Sequence, residues 1–253
     1  MVIVLFLMLI LLLVGCSGIT DLLIKIDPIV EDVSSNFLGA IIPIYSYPTQ
    51  GNPEYQNLES VYVSKRVYVV LNPNNGPGSS VDTNYENLIN RLKFRNYKLI
   101  GYVYTTYGSR NIGDVTNDIN MWYSFYSNID GIFVDEASDS SNRIPFYQVI
   151  YDYVKSKDSS DVVVLNPGVV PHSGYFGISD IIIVAEINQR VFLDSWSSQG
   201  SEGEKSAILI YNVEDKDRVI NKAISEGVGY VYITDEETNS WFRISRYLRD
   251  IVK

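Results

Sequence analysis

The sequence predicts a single closed (β/α)8 barrel, and three observations carry that reading. Eight short runs rich in Val, Ile and Tyr recur between residues 38 and 235, stretches with helical apolar spacing separate many of them, and nearly every run ends in polar side chains. An open doubly wound sheet would ordinarily stop at about five or six strands. With 253 residues, 46% of them hydrophobic and 13% aromatic, the chain can bury one substantial core but is too short for two full-sized domains.

The runs are LGAIIPIYSY (38–47), RVYVVLN (66–72), KLIGYVYT (98–105), DGIFVDE (130–136), DVVVLNP (161–167), DIIIVAE (180–186), SAILIYN (206–212) and GYVYITD (229–235). Several are β-branched with no polar alternation, as expected of strands covered on both faces. After the second run, Tyr85, Leu88, Ile89 and Leu92 fall on one helical face, and after the third Val115, Ile119, Trp122 and Tyr126 do so. The fourth is followed by Phe146, Val149, Ile150, Tyr153 and Val154 behind Pro145, a good first-turn residue. Val219, Ile220, Ala223 and Ile224 repeat the spacing until Gly227 stops it. Trp241, Ile244, Leu248 and Ile251 predict a closing helix. Segments 48–65 and 187–205 hold only short helices, and 167–179 has no helical period. The barrel domain, residues 37–253, is lean for a fold that typically takes about 250 residues.

Ahead of it, MVIVLFLMLILLLVGCSG is apolar from Val2 to Val14. That run is short for a spanning helix and suits a secretion signal over residues 1–15, although the usual basic residues before it are missing. Leu13-Val14-Gly15-Cys16 resembles the lipobox of prokaryotic lipoproteins, which makes Cys16 the expected lipid attachment point and residues 16–36 a tether. An uncleaved N-terminal anchor is the alternative. Both place the domain outside the cytoplasm, lipid-anchored at the surface or secreted, with the membrane touched only through this N-terminal segment. Cys16 is the sole cysteine, so an intramolecular disulfide and a cysteine metal cluster are excluded. No Asn-x-Ser/Thr sequon occurs, which disfavours a eukaryotic secretory origin. A formal net charge of −10 argues against nucleic acid and anionic membrane surfaces as partners.

In such barrels the chemistry sits at the carboxyl ends of the strands. Here those ends carry Tyr45 and Tyr47, Asn72 and Asn74, Thr105, Tyr107 and Arg110, Asp135 and Glu136, Asn166, Glu186, Asn212, and Asp235 and Glu236. Taken singly, an Asp or Asn after a strand is as readily a helix cap or a turn residue. Glu186 is harder to dismiss, because Glu caps poorly and closes the run Ile181-Ile182-Ile183-Val184 at a desolvation cost that a partner or ligand must offset. Asp135 and Glu136 are adjacent, so one can face the cleft while the other braces the loop. Carboxylates on separate strands around one mouth are what glycoside hydrolysis requires: one protonated acid, and one ionised group to attack the sugar or activate water. Crowding divides those roles by raising one pKa over the other. Twenty tyrosines suit sugar recognition, though core packing claims most of them.

Other chemistries are poorly supported. His172, the only histidine, cannot build a cluster and reads as a loop residue, and no nucleophile-elbow motif is present. Gly76-Pro77-Gly78 lacks the lysine and spacing of a phosphate loop. No cofactor is expected. A metal-assisted hydrolase using the three acids would need a hard cation.

The succession IPIYSYP, VVLNPNNGPG, DTNYENLI, LIGYVYTTYGSR, DVTNDINMWYSFY, DGIFVDEAS, VVLNPG and DIIIVAE, over residues 39–190, resembles the spherulin-4 family, which is glycoside hydrolase family 135-like. Its best-known relatives are fungal (β/α)8 enzymes that cleave the α-1,4-linked N-acetylgalactosamine polymer galactosaminogalactan. The resemblance implies a catalytic set of adjacent Asp and Glu after the fourth strand and a Glu after the sixth, which fall on Asp135, Glu136 and Glu186. The preferred assignment is Glu186 as general acid/base and Asp135 as nucleophile or charge stabiliser, with Glu136 assisting. Tyr45, Asn72, Tyr107, Arg110 and Asn166 are the expected sugar contacts. The expected partner is a hexosamine-containing polysaccharide, and a cationic galactosamine polymer would match the acidic protein. A non-catalytic glycan-binding or structural surface protein is the alternative.

Overall fold

The computed structural model describes residues 37–237 and 241–252, so the expected signal with Cys16 and the tether lie outside the described residues. The described residues belong to one compact unit. Its strands are β1 (Gly39–Pro43), β2 (Arg66–Leu71), β3 (Lys98–Tyr104), β4 (Gly131–Asp135), β5 (Val162–Leu165), β6 (Ile181–Asn188), β7 (Ser206–Tyr211) and β8 (Tyr230–Ile233). Each pairs in parallel with its neighbour in sequence, and β8 returns to β1 to close the barrel. This is the (β/α)8 fold the sequence predicts.

The helices are α1 (Pro53–Glu59), α2 (Thr83–Phe94), α3 (Ile112–Phe125), α4 (Ile144–Lys157), α5 (Gln189–Asp194), α6 (Lys216–Ser225) and α7 (Leu248–Val252). Side chains of Asn52, Asp82, Asn111, Asn188 and Asp215 accept first-turn amides of α1, α2, α3, α5 and α6. Most polar residues at the strand tips are thereby released from capping, since the caps come later in each loop. His172 caps a short 3-10 helix over Ser173–Ile178, accepting from the amide of Gly174.

Two helical expectations need correction. The buried face of α4 is Tyr147, Ile150 and Val154, while Val149 is 48% exposed. Tyr147 sets that rotation, because its hydroxyl is tied inward to Thr105 and to the amide of Ser138. The last helix begins only at Leu248, leaving Trp241 and Ile244 in the loop after β8. Backbone amides there are taken by side chains instead of helical carbonyls: Ile244 donates to Glu54, and Ser245 to the hydroxyl of Tyr232.

Strand alternation sorts side chains between the barrel interior and the helix layer. On β3, Gly101 lies on the helix side, where an added Cβ would stand 2.4 Å from the ring of Trp122 on α3. Only glycine lets that fully buried indole lie flat on the strand and donate to the carbonyl of Tyr102. Tyr102 therefore points inward, where its ring stacks on Phe133 of β4.

One departure from regular alternation positions the site. Val164 of β5 is in register with Ile181 of β6, and Val164 shares a side with Asn166. Uninterrupted counting from Ile181 would turn Glu186 toward the helices. The register between β6 and β7 slips between Ile183 and Ala185, so Val184 is an extra residue and Glu186 faces inward. The indole of Trp196 donates to the carbonyl of Val184, satisfying part of the backbone that the bulge disrupts.

Candidate active site

The mouth of the barrel gathers two carboxylates under one amide. Asn166, just past β5, donates from its single Nδ2 to Asp135 Oδ1 of β4 at 2.8 Å and to Glu186 Oε2 of β6 at 2.8 Å. The other Asp135 oxygen accepts from the Tyr102 hydroxyl at 2.7 Å, and the other Glu186 oxygen from the Trp241 indole at 3.1 Å. Tyr45, after β1, stands edge-on to Tyr102 with ring centroids 5.8 Å apart. Five strands and the loop after β8 thus contribute to one constellation. Gly168 closes it beneath Glu186, with φ +68 and its carbonyl accepting the Glu186 amide. A side chain there would be strained by the backbone and would approach the Glu186 Cβ.

Burial dominates the electrostatics. It raises the pKa of Asp135, while the Tyr102 hydroxyl, the Glu136 backbone amide and the Asn166 amide pull it back by stabilising the anion. Burial also raises Glu186, with the Asn166 and Trp241 donors opposing and the negative charge of Asp135 adding to the rise. The two acids are therefore not equivalent: three donors favour ionised Asp135, whose field in turn favours a proton on Glu186. Burial, then the charges of Asp135 and of Glu186 among its neighbours, hold the Tyr45 phenol well above its ordinary value. The amide oxygen of Asn166 is buried and has no partner among the described residues.

The remaining predicted residues are distributed around this centre. Glu136 adopts φ +49, and its carbonyl accepts from Thr105 Oγ1 at 2.8 Å and from the Tyr107 amide at 2.7 Å. Its carboxylate makes no hydrogen bond to Asp135, Asn166 or Glu186, so its contribution to the turn is through the backbone. Thr106 and Tyr107 also have positive φ, and the β3 and β4 turns are stitched together by these bonds. Tyr107 is 62% exposed on the rim. Arg110 is occupied with its neighbours: it pairs with Asp118 at 2.7 Å, donates to the Tyr104 carbonyl, and lies over the Tyr104 ring at 4.2 Å. Tyr104, in register with Asp135, presents that ring at the mouth. Asn72 is spent on the loop it starts, accepting from the Gly76 amide at 3.0 Å.

Sequence reasoning placed Asp135, Glu186, Tyr45 and Asn166 in the site, and all four meet. It missed Tyr102 and Trp241. Tyr102 was legible as an inward residue two before a strand end, whereas Trp241 was masked by an apolar spacing that reads as helix. Among the described residues no group of three or more His, Cys, Asp or Glu side chains is arranged to hold a metal.

Comparison with known proteins bears on the family and the fold. The family model of spherulation-specific family 4, spherulin-4, matches residues 39–253. Spherulin-4 of Physarum polycephalum is 32% identical over 216 residues, covering 80% of this chain, and the match spans only 64% of that relative's length. The crystal structure of Aspergillus clavatus Sph3 in complex with GalNAc matches with a TM-score of 0.75 at 27% identity, covering 87% of this chain and 97% of the other. The Bacillus cereus spore cortex-lytic enzyme SleL shares the fold alone, at a TM-score of 0.52 and 9% identity over 85% of this chain and 74% of its own. The (β/α)8 barrel is shared with these structures, and the chain belongs to the spherulin-4 family.

Proposed function

We propose that this chain is an endo-acting glycoside hydrolase of a hexosamine-containing polysaccharide, working outside the cytoplasm and tethered through Cys16. The observation that carries the reading is the shared amide: one nitrogen of Asn166 within 2.8 Å of a carboxylate on each of two strands. Two oxygens so bound can be no further apart than twice that distance. So close an approach of the facing oxygens favours the tighter spacing of retaining pairs, roughly 5 to 5.5 Å between carboxyl groups. The GalNAc bound by the related Sph3 supports a hexosamine substrate.

Glu186 is the general acid, its proton favoured by burial and by the field of Asp135. It protonates the glycosidic oxygen as the bond to the anomeric carbon breaks. Asp135, whose three donors oppose the rise that burial imposes, acts as the anion that attacks that carbon or stabilises its positive charge. Water then gives its proton to Glu186 as its oxygen bonds the anomeric carbon and the bond to Asp135 breaks, so the product leaves with the starting configuration and Asp135 is again a carboxylate. Asn166 holds both carboxylates at working distance throughout. Tyr45 and Tyr104 offer ring faces and hydroxyl groups to the sugar.

The test is release of reducing ends from galactosamine- and glucosamine-containing polymers by the wild-type protein, Glu186→Gln and Asp135→Asn. Release that both substitutions abolish is expected, with product of retained configuration by NMR. Retention of polymer without release across the panel would identify a glycan-binding protein instead. Cys16→Ala is expected to move the protein from the membrane fraction to the soluble one.

A further inference from the structure

A cavity opens on the same face of the barrel as the acid pair. It has a volume of about 420 Å³ and is lined by Tyr47, Pro73, Pro77, Asp82 and Asn84 among others. These come from the loops after β1 and β2 and from the first turn of α2, hence from the carboxyl ends of the strands. Tyr45 reaches the catalytic pair and Tyr47 lines the cavity, with at most about 7 Å of extended backbone between their Cα atoms.

Tyr47 is the feature that sets this cavity apart. Its ring is 46% exposed, yet it is pinned on every side that is not solvent. The hydroxyl donates to Asp82 Oδ2 at 2.7 Å and accepts from Asn84 Nδ2 at 2.9 Å. Tyr85 meets the ring edge to face at 5.8 Å, and Asn52 holds the Tyr47 carbonyl at 2.9 Å. An exposed aromatic held in one orientation is a preorganised platform, and it loses little conformational entropy when a flat apolar sugar face covers it. The Asn72 bond to Gly76 folds the loop that forms the opposite wall. Asp82 is the only charged side chain lining the cavity, so an anionic sugar would be repelled and a neutral or ammonium-bearing one accepted. Across the mouth, a cavity of about 460 Å³ lined by Asn188, Gln189, Arg190, Asn212 and Glu214 lies beyond β6 and β7.

We infer that the Tyr47 cavity is a remote glycan subsite, taking a neutral or amino pyranose one or more units from the scissile bond. This deepens the proposed function and rests on it. The test uses the full chain carrying Glu186→Gln, so that ligands survive, titrated calorimetrically with N-acetylgalactosamine and N-acetylglucosamine oligomers. Adding Tyr47→Ala is expected to weaken hexamer binding roughly tenfold and to change dimer binding less than about twofold. Tyr47→Phe, which keeps the ring, is expected to stay within about threefold of the parent for the hexamer. An oligogalacturonate hexamer is expected not to compete. Hexamer binding unchanged by Tyr47→Ala, hexamer and dimer weakened alike, or competition by the uronate would each overturn the subsite. Failure of the parent to bind any oligomer would overturn the proposed function with it, whereas tight binding that ignores Tyr47 would overturn the subsite alone.

Discussion

Asn166→Ala isolates the role of the shared amide. The side chain makes two hydrogen bonds to carboxylates, each 2.8 Å, and nothing else among the described residues donates to both acids. A hydrogen bond to a charged group is worth about 1.5 to 3 kcal/mol, so losing two removes about 3 to 6 kcal/mol of organisation from the reacting pair. If that loss falls on the transition state, kcat/KM drops about 10²- to 10⁴-fold. The pH profile should move as well, with a sign the geometry dictates. The amide stabilises the ionised form of both acids, so its removal raises both pKa values further. Activity requires Asp135 ionised and Glu186 protonated, and both limbs of the bell therefore shift to higher pH. The assay is initial-rate release of reducing ends across the pH range, with circular dichroism to confirm an intact fold. A loss below tenfold, or limbs that stay in place, would refute the reasoning.

Three further outcomes follow from the same structure. Trp241→Phe keeps the ring but removes the indole donor to Glu186, so the alkaline limb alone should rise, read in the same profile. Glu186→Gln should be more stable than the parent at neutral pH. Burial raises this carboxyl in the folded protein, so its stability contribution is intact below the unfolded pKa near about 4.3 and is lost as pH rises toward the folded value. Urea unfolding should therefore show the variant's advantage at pH 7 and its disappearance in acid. Gly101→Ala drives a methyl group into Trp122 and should cost about 1 to 3 kcal/mol or more in a thermal melt, part of it recovered by Trp122→Phe.

The strands were readable because each is buried on both faces and advertises itself as a β-branched run, as Ile181 to Val184 does. Most helices were readable because one stripe packs on the barrel, as with Tyr85, Leu88, Ile89 and Leu92. Helical spacing failed where tertiary partners decided the outcome. Trp241 and Ile244 are apolar at helical intervals, yet their segment is held as a loop by Glu54 and Tyr232, residues remote in sequence. Asp135 and Glu186 stood out as carboxylates at the ends of apolar strands, where burial must be compensated. The fork made by Asn166 was not legible, because an asparagine after a strand looks the same whether it caps a helix, turns a loop or bridges two acids. Asn72 is the counterexample: the same residue type, equally placed, and spent on its own loop.

Val184 makes the chemistry depend on arithmetic. Were that residue drawn into regular pairing with β7, with no bulge to absorb it, every later side chain on the strand would trade places and the glutamate would press into the helix layer while the barrel kept its staves. A relative with the same acid at the same count but an unbulged strand would be a silent container. The acid faces the mouth only because the count of residues and the slip in pairing act together.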